Sequence, residues 1–447
     1  MLPDYIARSV PNPGDKRAPW YVNTAPSYAG VFLWVVFYQQ IAQGTLNNAG
    51  IGLSLVAILV GGLLCYALYY FAPAMLGMKT GYPLYVVGSS TFGTTGGYLM
   101  PGLLMGLLQI GWFAVNASLS TTFILKALGQ PSEAGTAAFT IIATVWGLVM
   151  AYIGVKGIQY VAKVSLYLNL IAFLMVLFVF VKTSGGISQY QTPANAVPFL
   201  GFMVMLNVII GFFATAGAAG ADFGMNSRDA RDVKWGGLVG ISLAVLYAAG
   251  LPLMSVAGAH GLDANFSGST YADVISVIGG FMATAMFFLF AIASIAPACF
   301  CAFIAGNSFS TMLPKVPRIG STMVGAVIAI ILAVTGLAGN LISVFNIVGA
   351  SFGPICGAMT ADYLLSGRKW AGPRQGINFA GYIAWAIGFL VGIIPFLPVS
   401  QAVKDYSQPQ VLYSYIVGFQ VYAVLAKAGL EPKTVEMPAS KTSAAKA

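Results

Sequence analysis

Residues 97–128 read GYLMPGLLMGLLQIGWFAVNASLSTTFILKAL, a run whose one charged residue, Lys126, stands near its end. About 20 mostly apolar residues suffice to cross the hydrocarbon core as a helix, so this run is a transmembrane span with length to spare. Comparable stretches lie near 27–48, 51–76, 136–155 and 160–182. After a polar loop at 184–195 come 198–221, 235–260, 275–306, 320–339, 341–366, 376–397 and 410–428. Counted in chain order these are helices one to twelve, and the quoted run is helix three. The fold predicted is an all-α integral membrane protein of about 12 spans.

Composition leads to the same place. Of 447 residues 58% are hydrophobic and 7% charged, whereas a soluble domain carries about a quarter charged residues. The net charge of +9 does not point to nucleic acid, because the cations are scattered singly between apolar runs instead of forming a stripe. Their placement reads as topology. With both termini cytoplasmic, all of the 21 Lys and Arg residues except Lys126, Lys182 and Lys404 fall on the inner side, as the positive-inside rule requires. The expected organisation is a cytoplasmic N-terminal segment, 1–26, one transmembrane domain, 27–428, and a cytoplasmic tail, 429–447. The tail is rich in Lys, Ala, Ser and Thr and is expected to be disordered. The first apolar run passes into a multispan body with no small-residue cleavage site, so no cleaved signal peptide is expected.

Cys65, Cys299, Cys301 and Cys356 all sit inside apolar stretches, which reads as structural cysteine and not as a disulfide framework or zinc site. No cofactor is implied. Ionisable groups at mid-membrane usually mark proton paths or charged substrates, and here they are nearly missing. Asp222 and Asp362 fall at the cytoplasmic ends of helices six and ten, and His260 closes helix seven. Asp222 reads as part of an inner-face salt-bridge loop with Arg228, Asp229, Arg231 and Asp232, and His260 as an interfacial residue.

What the spans do hold is neutral polarity beside aromatic rings. Gln109, Trp112 and Asn116 follow one another at i, i+3 and i+7 and share one face of helix three. An amide needs a hydrogen-bond partner in hydrocarbon, and an indole offers a flat apolar face with one donor. That pairing suits a flat, neutral, hydrogen-bonding ligand, or equally an inter-helix contact with a space-filling ring. Helix six, GFFATAGAAGADF, adds Phe212, Phe213 and Thr215 after Gly211, where a glycine lets a ligand or another helix approach closely. Interruptions are expected where helix one runs into Gln39, Gln40, Gln43 and Gly44, and at the helix-six glycines. Helix eight carries Ser294 just before Pro297, and proline frees a carbonyl for a cation or merely kinks the helix.

Three segments in order carry a resemblance: KTGYPLYVVGSSTFGTTGGYLMPGLLMGLLQIGWFAVN, GFFATAGAAGADF with its basic loop, and GASFGPICGAMTADYLL. They resemble helices two to three, six and ten of the cytosine/purine/uracil/thiamine/allantoin permeases of the nucleobase-cation-symport group. The resemblance implies a LeuT-like fold of five plus five inverted repeats with two further C-terminal helices, working by alternating access. It also implies that Trp112 and Phe213 sandwich a base while Gln109 reads its polar edge, with Asn116 and Thr215 close by. A cation is implied near the backbone of Phe32 and Val35 on helix one and at Ala293 and Ser294 on helix eight. There this chain has one hydroxyl where relatives carry asparagine or paired hydroxyls.

The expected activity is cation-coupled import of a small neutral heterocycle such as cytosine, a purine, uracil, allantoin or hydantoin. Sodium is the expected ion and a proton the alternative. A membrane enzyme would need His, Asp or Glu clusters, which one histidine does not supply. A channel, or an amino-acid transporter of the same fold, remains the alternative.

Overall fold

The computed structural model describes residues 2–313 and 315–437, and Pro314 and the final residues 438–447 lie outside it. Among the described residues, twelve apolar helical segments follow the expected order. Eight stretches are long and apolar enough to cross a membrane on their own: Leu46–Thr80, Tyr98–Ala127, Ala137–Lys156, Tyr167–Gln189, Pro198–Ala218, Ala230–Leu262, Gly280–Ser310 and Leu341–Leu365. Arg318–Val334 and Phe379–Gly392 are shorter apolar helices, and Gln410–Lys427 is the last. Helix one is assembled from two short pieces, Thr24–Phe32 and Val35–Tyr38.

The boundaries correct several expectations. Helices four and five, expected at 136–155 and 160–182, run as one helix, Ala137–Thr183, of 47 residues. At 1.5 Å per residue that is about 70 Å, over twice the hydrocarbon thickness, so its two apolar halves count as two spans. Helix eight starts later than expected because Tyr271–Ile278 forms a separate loop helix, capped by Thr270 and Asp273 and joined to it through Gly279 and Gly280, both at positive φ. Tyr271 N and Ala272 N of that loop helix donate to the backbone and side-chain oxygens of Gln39.

Helix one is interrupted at Leu33 and Trp34, a turn before the Gln39–Gly44 stretch. Trp34 is extended (φ −67°, ψ 122°), and its N–H turns back to Val31 O. Helix six breaks at Ala219 (ψ 0°), between Pro198–Ala218 and Gly220–Gly224. Gly211 serves helix packing: a Cβ there would lie 2.4 Å from Phe345 O of helix ten. Helix eight is interrupted at Ser294, between Gly280–Ala293 and Ile295–Met312. All four cysteines are free and buried.

One end of the helix bundle is tied down by both ends of the chain. The N-terminal segment is not a loose tail: Arg17 Nη1 donates to Met78 O at 2.6 Å, Tyr5 Oη to Thr94 O at 2.7 Å, and Asn12 Nδ2 to Asn226 Oδ1 at 2.8 Å. The tail expected to be disordered from 429 is instead bonded to the body in its first part, and residues 438–447 lie outside the described residues. Arg374, buried in the loop after helix ten, pairs with Asp362 and with Glu431, each at 2.9 Å. Ser90 and Thr91 donate to Asp362 Oδ2 at 2.6 and 2.9 Å, and Tyr422 to Glu431 at 2.7 Å. Gln375 N and Val435 N then bond Lys433 O and Pro373 O. A buried carboxylate, a half-buried one and a buried guanidinium thus clasp the loop after helix two, the loop after helix ten and the start of the tail.

Candidate functional site

Three interruptions, in helices one, six and eight, fall in the interior, where backbone dipoles left unpaired are costly unless a ligand, ion or polar side chain meets them. Around the first break the rings close into a cage. Trp112 of helix three lies 5.6 Å from Trp34, 5.3 Å from Phe212 and 5.4 Å from Phe345, centroid to centroid. Phe212 and Phe345 are themselves 5.4 Å apart. The indole N–H of Trp34 and Oδ1 of Asn346, next to Phe345, are buried without a hydrogen-bond partner. Among the described residues the Trp34 N–H, on a ring of the cage, has no partner, which is what a ligand with its own acceptor would satisfy. Trp34, Phe345 and Asn346 were not legible in the sequence. For Trp34 the available signal was its place before two β-branched residues, Val35 and Val36, which favour helix weakly.

The residues expected from the sequence fall into two groups. Gln109, Trp112 and Asn116 are buried on helix three. Gln109 Nε2 has only Met105 Sδ, 3.6 Å away, as a partner. Asn116 is engaged elsewhere, its Nδ2 donating to Ser294 O at 3.1 Å while its Oδ1 accepts from Ser120 Oγ at 3.1 Å. It ties helix three to the helix-eight break.

Phe213, expected opposite Trp112, is instead turned to helix one, stacked on Phe32 at 5.5 Å and 9° and 5.5 Å from Tyr28. Adjacent residues point about 100° apart on a helix, and it is Phe212 that meets Trp112, edge-on at 77°. A planar ring stacked between two others needs roughly 7 Å, twice the van der Waals separation, so Phe212 closes the cage in this conformation. Thr215 is buried one turn further along, where its carbonyl accepts Ala219 N.

The second feature is a small void of about 20 Å³ beside the same break, lined by Leu33, Trp34, Val35, Asn169, Ala293 and Ser294 among others. Phe32 is adjacent in the chain, so the structure brings the expected helix-one and helix-eight positions to one place. The size admits one water or ion and no heterocycle. Oxygens are at hand. The helix-one ladder stops at Trp34, and Pro297, which has no N–H, cannot bond the carbonyl of Ala293 four residues earlier. None of the lining side chains is titratable. A larger cleft, about 470 Å³, lies between Lys182, Leu262, Val277 and Met282, away from the cage.

Asp222 is placed differently from the expected salt-bridge loop. Arg228 pairs with Asp232 at 2.7 Å, while Asp222 is half-buried with its Oδ1 accepting Leu84 N at 3.2 Å. Burial pushes its carboxyl up to about 6. His260 lies between the rings of Phe266 and Tyr190, 4.8 and 6.2 Å away.

Comparison with known proteins bears on this arrangement. Residues 10–418 match the family described as permease for cytosine/purines, uracil, thiamine, allantoin. The cytosine permease of Escherichia coli (strain K12) is 27% identical over 386 residues, 82% of this chain and 86% of that protein. Among solved structures, Mhp1, a nucleobase-cation-symport-1 family transporter, in a closed conformation with bromovinylhydantoin bound, superposes with a TM-score of 0.69 at 17% identity, over 96% of each chain. The inward-facing conformation of Mhp1 gives 0.71 at 16% identity, over 98% of this chain and 96% of that one. A Na+-coupled sialic acid symporter gives 0.56 at 12% identity, over 98% and 94%. The chain therefore has the LeuT-like fold that the sequence resemblance implied.

Proposed function

We propose that this chain, which belongs to the family of permeases for cytosine/purines, uracil, thiamine and allantoin, imports a neutral planar heterocycle by alternating access, coupled to sodium. The family consists of transporters, not enzymes, and the chain is a multi-pass membrane permease for nucleobase-type substrates. The observation that carries the finer reading is the cage: Trp34, Trp112, Phe212 and Phe345, with the Trp34 N–H unpaired among the described residues and Gln109 lacking a strong partner there. Trp112 supports one face of the base. A helix-six ring supports the other, Phe213 taking that place once Phe212 swings off Trp112. Gln109 and the Trp34 N–H then pair with the base's edge, while Asn116 holds helix eight and Thr215 lies beyond the rings. A bound cation supplies charge compensation and order at the paired breaks. Phe32, Val35, Ala293 and Ser294 would hold it through backbone and hydroxyl oxygens, a donor set that fits a hard monovalent ion.

The transport domain is 27–428 with both termini cytoplasmic, supported by the cation asymmetry. Uptake into proteoliposomes, competed by unlabelled bases, hydantoins and ureides, tests the substrate class. Competition by amino acids alone would overturn it, and absence of counterflow would favour a channel.

One observation favours a second reading of the coupling: Asp222 is a half-buried carboxylate with no ion pair among the described residues, and desolvation pushes its carboxyl up to about 6. Imposing sodium and pH gradients separately decides between them. Accumulation driven by pH and indifferent to sodium would put Asp222 in place of the void.

A further inference from the structure

The void beside helix one has a third wall, helix five, and its one polar side chain there is Asn169. Its amide rests on the one residue type of helix one that can admit it: a Cβ on Gly30 would lie 2.5 Å from Asn169 Nδ2 and 3.2 Å from its Cγ. No hydrogen bond joins the half-buried Asn169 side chain to another described residue, so its amide is free to meet an occupant of the void that it lines. Helix eight meanwhile offers this void one hydroxyl, on Ser294, preceded by Ala293 and followed by Ile295.

We propose that Asn169 is a ligand of the coupling cation, its amide oxygen joining the carbonyls of the helix-one break, the Ala293 carbonyl that Pro297 cannot bond, and the Ser294 hydroxyl. The inference rests on reading the void as the cation site. An amide contributes a neutral oxygen dipole, and with no acid among the lining residues the site compensates one positive charge better than two. A half-turn about χ2 exchanges the amide's nitrogen for its oxygen, so the contact with Gly30 serves either orientation. Because helix five approaches helix one at a glycine, the ion bridges three elements instead of two.

The probe is sodium itself, titrated against the thermal midpoint of the purified full chain at constant ionic strength with choline as replacement. Wild type should be stabilised by sodium. Asn169→Ala should raise the half-maximal sodium concentration at least tenfold while keeping the wild-type midpoint without sodium, which shows that it folds. Gly30→Ala should shift the titration the same way by displacing the amide. Asn169→Asp should lower the half-maximal concentration at neutral pH and make it pH-dependent. An Asn169→Ala titration that superimposes on a responsive wild type overturns the proposal and leaves the coupling reading intact. A wild type indifferent to sodium overturns that reading as well. If Asn169→Ala does not fold, the Asn169→Asp titration decides, and an unchanged curve at pH 7 sinks the idea.

Discussion

The clasp around Arg374 and the interior breaks hold polar groups in opposite ways. At the clasp, Asp362 accepts from Ser90, Thr91 and Arg374, and Arg374 also meets Glu431. At the helix-one break the Trp34 N–H has no partner among the described residues, and the void beside it lacks any titratable side chain. Full satisfaction holds elements in one arrangement. Open dipoles leave the exchange of partners to what arrives. The difference teaches where this chain keeps charge: at the rim, where it fixes loops, and out of the core, where a neutral base has to pass.

The largest effect that can break this contrast is in the clasp. Arg374→Met strands Asp362 in a buried site, and removing one partner of such a pair costs about 3–5 kcal/mol. A large fall in thermal midpoint is expected, partly recovered in Arg374→Met/Asp362→Asn. A midpoint unchanged by Arg374→Met would mean that the clasp is ornamental.

Asp222 should respond with the opposite sign. Its folded-state value, pushed up to about 6 from an ordinary 3.8 by burial, means that its contribution to stability is full below pH 3.8 and is lost as the pH rises through 6. Asp222→Asn keeps an acceptor for Leu84 N and carries no charge. It should exceed wild type in stability above pH 6, by up to about 3 kcal/mol from a shift of about two units. Parallel midpoint-versus-pH curves for the two proteins would refute the assignment.

In the cage, Trp112→Ala should weaken base binding roughly tenfold or more, from stacking of about 1–3 kcal/mol per base. Phe213→Ala should match it and exceed Phe212→Ala, provided that Phe212 yields its place. The reverse order in an equilibrium binding assay would assign the second face to Phe212. The smallest change is Trp34→Phe, which keeps a ring and deletes one donor. A loss of about 0.5–1.5 kcal/mol is expected, confined to bases whose acceptor meets it.

The bilayer's demand for long apolar helices made the spans readable, and the motif order around Gln109–Trp112 made the family readable. The breaks were harder. Polar Gln39–Gly44 looked like the weak point of helix one, yet the ladder stops at Leu33–Trp34, where no Gly or Pro announces it. Phe212 and Phe213 are one residue apart in sequence and differ only in the direction that helical phase gives them. Arg374, Glu431 and the start of the tail are joined by contacts that span dozens of residues, so a local composition rich in Lys and Ala could not reveal the order there. Asn169 gave no signal because its neighbours across the void come from helices more than a hundred residues away.

The 3.1 Å hydrogen bond from Asn116 to Ser294 O joins the helix that carries Trp112 to the residue at the edge of the void. Linkage makes any such connection reciprocal. If a cation binds at the void as proposed, whatever factor it adds to the affinity for a base the base must return to the affinity for the cation, and this one neutral amide is a direct connection between the two places.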